Sequence, residues 1–244
     1  MLHFVVDEAT DAEPGGTVTL TGAEAHHAAV VRRVRVGEHV TVGDGRGAWL
    51  DGECAAVTPK AVEVRIAARR DVVAASPRIV LVQALAKGDR DELAVQAATE
   101  LGVDEIVPWQ AERSVSRWEG AKAEKGRARW GAIAREAGKQ AHRAWLPEVA
   151  AVATTGRLAE AAPGARMIVL EPTGSVPLTG IRLDPVDPRD VVLIVGPEGG
   201  IAPAELAALG AAGATIAALG ETVLRTSTAG PAALAVVSAA LGRW

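Results

Sequence analysis

The chain has 244 residues, 49% of them hydrophobic and 23% charged, with a formal net charge of −4. These values fit one large globular domain or two unequal ones. They exclude the disordered, collagen-like and disulfide-scaffold classes and argue against a strongly basic nucleic-acid binder.

Cys54 is the one cysteine, so no internal disulfide or multi-cysteine zinc site is expected, and a reducing, cytoplasmic compartment is the default. Met1 to Glu8 lacks the basic start of a signal peptide. The longest apolar stretch contains Gly230 and Pro231 and is too short to span a bilayer, so no membrane segment is expected.

From Val18 to about Arg70 the pattern is of short alternating runs: His39 to Val42, Ala48 to Val57 and Val62 to Ile66, with glycine-rich turns between them. Alternation of this kind predicts a small β domain. One helix interrupts it, with Thr21 and Glu24 at capping-box spacing and an apolar face from Ala25, Ala28, Ala29 and Val31. Arg32, Arg33 and Arg35 fall at its C-terminal end. Asp44-Gly45 reads as a hairpin turn, and the stretch ending in Ser76 and Pro77 as a linker.

After Pro77 apolar strands alternate with helical stretches, which predicts an α/β domain with a largely parallel sheet. Five strands are expected, at Ile79 to Leu85, Glu105 to Trp109, Met167 to Leu170, Val191 to Val195 and Thr215 to Leu219. A helix starts at Asp89, with Glu92 at capping-box spacing, and stops near Gly102. The segment from Glu112 to Arg143 is another, and Pro203 to Leu209 a third. That second segment holds nine basic and four acidic residues, a local +5. It is either a solvated helix face or a phosphate-contacting surface. Its Trp118 and Trp130, with Trp145, read as buried anchors in preference to base-stacking platforms.

Ligands of parallel α/β sheets bind at the carboxyl ends of the strands. Three such ends carry unusual loops: Glu171 to Gly174, Gly196 to Gly200, and Gly220 to Thr228. Their glycines allow positive φ and close backbone approach, and their prolines fix turns, so a backbone-lined pocket is expected. No Gly-Lys-Ser/Thr follows the glycines and no G-x-G-x-x-G stands at a strand-to-helix junction, which disfavours phosphate and dinucleotide sites. The five histidines show no metal spacing, and the nucleophile elbow G-x-S-x-G is missing.

At these loops the sequence resembles the SPOUT class of methyltransferases and, within it, the RsmE-type 16S rRNA (uracil-N3)-methyltransferases. The resemblance is carried by LEPTG (Leu170 to Gly174), LIVGPEGGIAPAE (Leu193 to Glu205) and LGETVLRTSTA (Leu219 to Ala229). It extends through ALAKGDR (Ala84 to Arg90), ELGVDEIVP (Glu100 to Pro108), Glu112 to Ser114, the segment around Arg135 to Pro147, and HAAVVRRVRVG (His27 to Gly37). It implies a PUA-like RNA-binding β-barrel over residues 1–71, a linker at 72–77, and a SPOUT α/β domain with a C-terminal trefoil knot over 78–244.

The implied reaction transfers the methyl group of S-adenosyl-L-methionine to N3 of a uridine in 16S rRNA, within the 30S subunit, by a cytoplasmic homodimer that uses no metal. The cofactor set it implies is Leu170, Glu171, Pro172, Gly196, Pro197, Glu198, Gly199, Gly200, Leu219, Gly220, Val223, Leu224, Arg225, Thr226, Thr228 and Ala229. N3 carries a proton, so a site must remove it or stabilise the charge left on O2 and O4. Arg225 is the candidate for stabilising that charge, and Glu198 and Glu171 are the candidates for taking the proton. Each glutamate could equally be a structural carboxylate bonded to loop amides. His27, Arg32, Arg33, Lys87, Arg90, Arg113 and Arg143 would face the RNA. Many members of the family carry a glutamate where this chain has Ser227, so a carboxylate base at that position fails here. Competing readings are another SPOUT target such as a ribose 2′-hydroxyl, a non-catalytic RNA-binding protein of the same fold, and a nucleotide-binding α/β protein.

Overall fold

A computed structural model describes residues 1–244. The chain divides into two compact units, residues 1–74 with 138–146, and residues 75–137 with 147–244. The return of residues 138–146 to the first unit has no counterpart in the linear division expected from the sequence.

In the first unit, β1 (Leu2–Val5), β2 (Thr17–Thr21), α1 (Gly22–His26), β3 (His39–Gly43), β4 (Ala48–Val57) and β5 (Ala61–Asp71) follow in chain order. The strands form one sheet in the order β1-β3-β4-β5-β2, parallel between β1 and β3 and antiparallel elsewhere. Every second residue of β2 and of the first half of β5 is buried, so Val18, Leu20, Val62, Val64 and Ile66 meet Phe4, Val42 and Leu50 in one core. The turn at Asp44-Gly45 forms as its composition predicts: Asp44 Oδ1 accepts from the backbone N–H groups of Arg46 (2.7 Å) and Ala48 (3.0 Å).

The helix at residue 22 starts where expected but not by the expected device. Thr21 occupies the N-cap position with no side-chain capping bond. Glu24 pairs with the buried Lys139 Nζ at 2.7 Å, so it is not available to close a capping box. The helix continues over His27–Val31 as a π-helix. Arg33 follows in the left-handed region at φ 56°, and Arg32, Arg33 and Arg35 are exposed beside Val31 and Val36.

One buried histidine gives this unit a pH dependence. The His3 ring stacks on Trp49 at 4.4 Å, and its Nδ1 is 2.9 Å from Thr41 Oγ1. Thr41 donates its hydroxyl to Leu2 O, so Nδ1–H is the donor to Thr41, and the bare Nε2 is buried without a partner. Burial, with repulsion from His142 and Lys139, holds the His3 pKa down to about 4. The unfolded imidazole protonates near 6.5, so the unfolded state binds more protons below that pH. The stability contributed by neutral His3 is complete above about pH 6.5 and is lost as pH falls toward about 4. Urea unfolding followed across this window is expected to show that loss. His3→Phe, which keeps the stack on Trp49, should flatten it, and an unchanged slope in the variant would assign the dependence to another group.

The second unit contains β6 (Ile79–Ala84), α2 (Arg90–Glu100), β7 (Glu105–Trp109), α3 (Ala121–Gln140, whose last residues from Gly138 belong to the first unit), β8 (Glu148–Val149) and α4 (Thr155–Ala161). It continues with β9 (Arg166–Leu170), β10 (Val176–Pro177), β11 (Val191–Val195), α5 (Pro203–Ala211), β12 (Thr215–Ala218) and α6 (Thr226–Ala240). Its seven strands are all parallel, in the order β10-β12-β9-β11-β6-β7-β8. The five predicted strands are the sheet's centre. β8 and β10, two residues each at the edges, are too short for any periodicity to show.

Both faces of the sheet are buried, which explains the unbroken apolar strands. Leu81, Leu193 and Ile168 pack with Val95, Trp130 and Leu234 on one side; Val82, Ile194 and Val169 pack with Leu158 and Leu209 on the other. Trp130 is 1% exposed, with Trp118 edge-on at 5.0 Å, so both indoles anchor α3. The capping box expected at Asp89 is not made. Asp89 caps with no side-chain bond, Asp91 takes the Ala86 N–H (3.0 Å), and Glu92 pairs with Arg129 (2.7 Å). No helix is long and apolar enough to cross a membrane.

Candidate functional site

The neighbouring strands β12, β9 and β11 end level. Leu170, the last residue of β9, is in register with Val195, the last of β11, and with Ala217, one residue before the end of β12. The three glycine- and proline-bearing loops therefore leave the sheet at one height and enclose a cavity of about 460 Å³. Its lining combines the apolar side chains of Leu170, Val195, Ile201, Leu219, Leu224 and Ala229 with Gly196, Gly200 and Gly220 and the charged side chains of Arg90, Glu171, Glu198 and Arg225. That volume and mixture suit a small organic ligand.

Of the residues expected to bind a cofactor, Leu170, Glu171, Pro172, Gly196, Pro197, Glu198, Gly200, Leu219, Gly220, Val223, Leu224, Arg225, Thr226 and Ala229 line this cavity. Gly199 and Thr228 do not. The Gly199 carbonyl instead accepts from Arg113 Nη1 at 3.2 Å, and the Thr228 N–H caps α6 by donating to Arg225 O at 2.8 Å. Gly220 has φ +111°, open only to glycine without strain. Gly174 serves close approach: a Cβ there would lie 2.7 Å from the Ala217 carbonyl carbon.

Gln83, which sequence reasoning missed, joins two of the loops from beneath. It is fully buried in β6; its Nε2 donates to Thr226 Oγ1 (2.9 Å), and Thr226 donates to Gly196 O (2.8 Å). The available signal was a lone amide in the otherwise apolar strand IVLVQA. A buried amide needs partners: the Nε2 finds Thr226 on the cavity wall and Ala84 O, and the Oε1 is buried without one.

The charged groups at the cavity are unequally engaged. Glu198 Oε1 accepts from Arg90 Nη1 (2.9 Å) and from the Lys87 N–H (3.0 Å). Burial raises the Glu198 pKa, but bonds from its own backbone N–H, the Lys87 N–H and Arg90 outweigh it, so the carboxyl lies below its ordinary value. Such a carboxylate is suited to holding Arg90 and poorly suited to accepting a proton. Glu171 takes only a 3.3 Å bond from Thr173 Oγ1. Arg225 stands at the N-cap of α6, exposed on the cavity, and its guanidinium has no hydrogen-bond or ion-pair partner in the chain.

The residues expected to face RNA fall in both units. Arg90 lines the cavity, whereas Arg113 lies on the outer side of the Gly196 to Gly200 loop. Lys87 is exposed in the second unit. In the first unit Arg32 and Arg33 are exposed, Arg143 is half-buried, and the half-buried His27 packs edge-on against Phe4 at 6.3 Å. Much of the +5 segment is engaged internally: Arg117 donates to Glu112 O, Arg127 to Val149 O, Arg129 pairs with Glu92 and Lys139 with Glu24.

An RNA methyltransferase domain family matches residues 74–238, and an RNA methyltransferase PUA domain family matches residues 20–67. The chain is 41% identical to a ribosomal RNA small subunit methyltransferase E of Mycobacterium tuberculosis (strain CDC 1551 / Oshkosh), over 99% of this chain and 92% of that protein. It is similar to the crystal structure of a ribosomal RNA small subunit methyltransferase E from Neisseria gonorrhoeae bound to S-adenosyl methionine. That match has a TM-score of 0.86 and 30% identity, covering 98% of this chain and 97% of the other. A methyltransferase from Legionella pneumophila in complex with the same cofactor matches with TM-score 0.84 and 32% identity over 98% and 96%.

Proposed function

Because the chain belongs to the RNA methyltransferase family whose relatives are named ribosomal RNA small subunit methyltransferase E, we propose that it methylates N3 of a specific uridine in 16S rRNA with S-adenosyl-L-methionine as donor. The observation that carries this reading is the cavity at the ends of β9, β11 and β12, in a chain similar end to end to a cofactor-bound relative. The residues present fit the cofactor. Leu170, Leu219, Leu224 and Ala229 offer apolar walls for an adenine ring, and the loop backbone at Gly196, Gly200 and Leu219 offers hydrogen-bonding groups along them. The cofactor, when bound, supplies an electrophilic methyl group on a sulfonium.

The chain's residues then have to manage one proton and one developing charge. Loss of the N3 proton spreads negative charge onto O2 and O4, and a fixed cation aimed at those oxygens lowers the barrier most where water is excluded. Arg225 has that character: permanently charged, forked and uncommitted within the chain. Glu171 is the carboxylate assigned to the proton, and Glu198 the one that orients Arg90 at the cavity. In this reading the first unit, residues 1–74 with 138–146, forms the RNA-binding domain and the second, residues 75–137 with 147–244, the SPOUT domain, whose three cavity loops belong to the trefoil knot. Arg32, Arg33, Lys87, Arg90 and Arg143 carry the phosphate contacts. The enzyme works in the cytoplasm as a homodimer on the 30S subunit.

The test is to incubate the purified protein with S-adenosylmethionine and unmodified 30S subunits, digest the RNA and analyse nucleosides by mass spectrometry. N3-methyluridine is expected. A different methylated nucleoside would overturn the target, and no product despite cofactor binding would favour the non-catalytic RNA-binding reading.

A further inference from the structure

Glu205 is a carboxylate only 7% exposed, at the third position of α5. Its Oε2 accepts the Ala202 N–H at 3.2 Å, which a capping role explains. Its Oε1 does something a cap does not require. It accepts the Glu112 N–H at 3.0 Å and the Thr155 hydroxyl at 2.6 Å, and Thr155 in turn accepts from Trp109 Nε1 at 3.2 Å. One buried charge thus fixes the start of α4, the start of α5 and the turn that leaves β7. The residue after Glu112 is Arg113, whose Nη1 donates to Gly199 O. Arg113 also packs along that loop: a Cβ on Gly199 would lie 3.3 Å from Arg113 Cβ.

We propose that Glu205 and Arg113 are positioning residues for the Gly196 to Ile201 loop. Glu205 sets the turn after β7, and Arg113, projecting from that turn, braces the loop from its outer side while Gly196 and Gly200 face the cavity. Arg113 then serves cofactor binding, and its place in a basic segment is not evidence of RNA contact. The inference rests on the cofactor reading above in one respect only, the identity of the ligand that the braced loop holds.

Removing either residue should loosen the loop and weaken cofactor binding while sparing turnover at saturating cofactor. Calorimetric titration with S-adenosylmethionine is expected to give a Kd raised about three- to tenfold in Arg113→Ala and in Glu205→Gln, the scale of one lost hydrogen bond. Arg113→Lys, which keeps a donor, should recover part of the loss. Glu205 reaches the loop by two routes, its bond to the Ala202 N–H at the loop's end and the turn that carries Arg113; the relay assigns the effect to the second, so the double variant should bind about as weakly as the worse single one. A general structural role for Glu205 would instead make the two losses multiply, and that outcome overturns the relay. So does an Arg113→Ala variant that binds cofactor normally and loses only RNA affinity. Hydrogen exchange separates this inference from the reading it rests on. The Gly200 N–H, bonded to Pro197 O at 2.9 Å, should exchange faster in both variants with no ligand present. Unchanged exchange sinks the relay even if the wild type binds cofactor, whereas faster exchange in a wild type that binds none keeps the relay and refutes the cofactor.

Discussion

Replacing Arg225 by alanine is expected to lower the single-turnover methylation rate by about 10²- to 10³-fold, the scale seen when one preorganised donor to a developing oxyanion is removed. The fold should be untouched, because the side chain is exposed and makes no bond inside the chain. What fixes its position is the backbone. Arg225 O accepts the N–H groups of Thr228 and Ala229 at 2.8 and 2.9 Å, and Thr226 beside it is tied to Gly196 and to Gln83. The guanidinium is thus carried on a rigid helix start while its donors remain unspent. Cofactor affinity should change little, since uncharged groups supply most of the cavity wall. Arg225→Lys keeps the charge but loses the planar fork, so its rate should fall between wild type and alanine. An Arg225→Ala enzyme with an unchanged single-turnover rate would remove this residue from the mechanism.

What the sequence made legible follows from what periodicity encodes. The central strands of the second unit stand out because a parallel sheet covered on both faces needs unbroken apolar runs such as VVLIV at Val191–Val195. The loops after them stand out because glycine and proline cluster where the chain must turn sharply at a strand end. Side-chain pairing across the fold has no such signature. Thr21 with Glu24, and Asp89 with Glu92, both have capping spacing, yet Glu24 goes to Lys139 and Glu92 to Arg129, each more than 35 residues away. The same blindness hid the internal engagement of the basic segment, since Arg127 and Arg129 meet Val149 O and Glu92 only after folding. Gln83 and Glu205 escaped for a related reason: each is a single polar residue in an ordinary apolar context, and its role lies in which segments it joins.

The second large effect is expected at Gly174, where the requirement is space. A Cβ there would sit 2.7 Å from Ala217 C, 2.9 Å from Ala218 N and 3.0 Å from Ala217 Cα, all backbone atoms that cannot swing aside. The loop is pinned on both sides of this point. The Glu171 N–H donates to Ala217 O at 2.9 Å, the Gly174 N–H donates to Glu171 O at 2.9 Å, and β10 pairs with β12 from Val176 onward. Gly174→Ala must therefore separate the Leu170 to Gly174 loop from the end of β12, which opens the cavity between two of its walls. Overpacking of this kind costs about 1–3 kcal/mol of stability. The displaced wall should weaken cofactor binding more than about tenfold, since roughly 1.4 kcal/mol of lost contact is already enough for that factor. Gly131→Ala is the matched control: it lies within α3, a Cβ there meets nothing within 4 Å, and the change should leave binding alone while stabilising the helix by about 0.5–1 kcal/mol. Thermal unfolding and cofactor titration of the two variants side by side would decide the matter. If Gly174→Ala binds cofactor as tightly as Gly131→Ala does, the loop after β9 is not a wall of the cofactor site, and the ligand must be held by the loops after β11 and β12 alone.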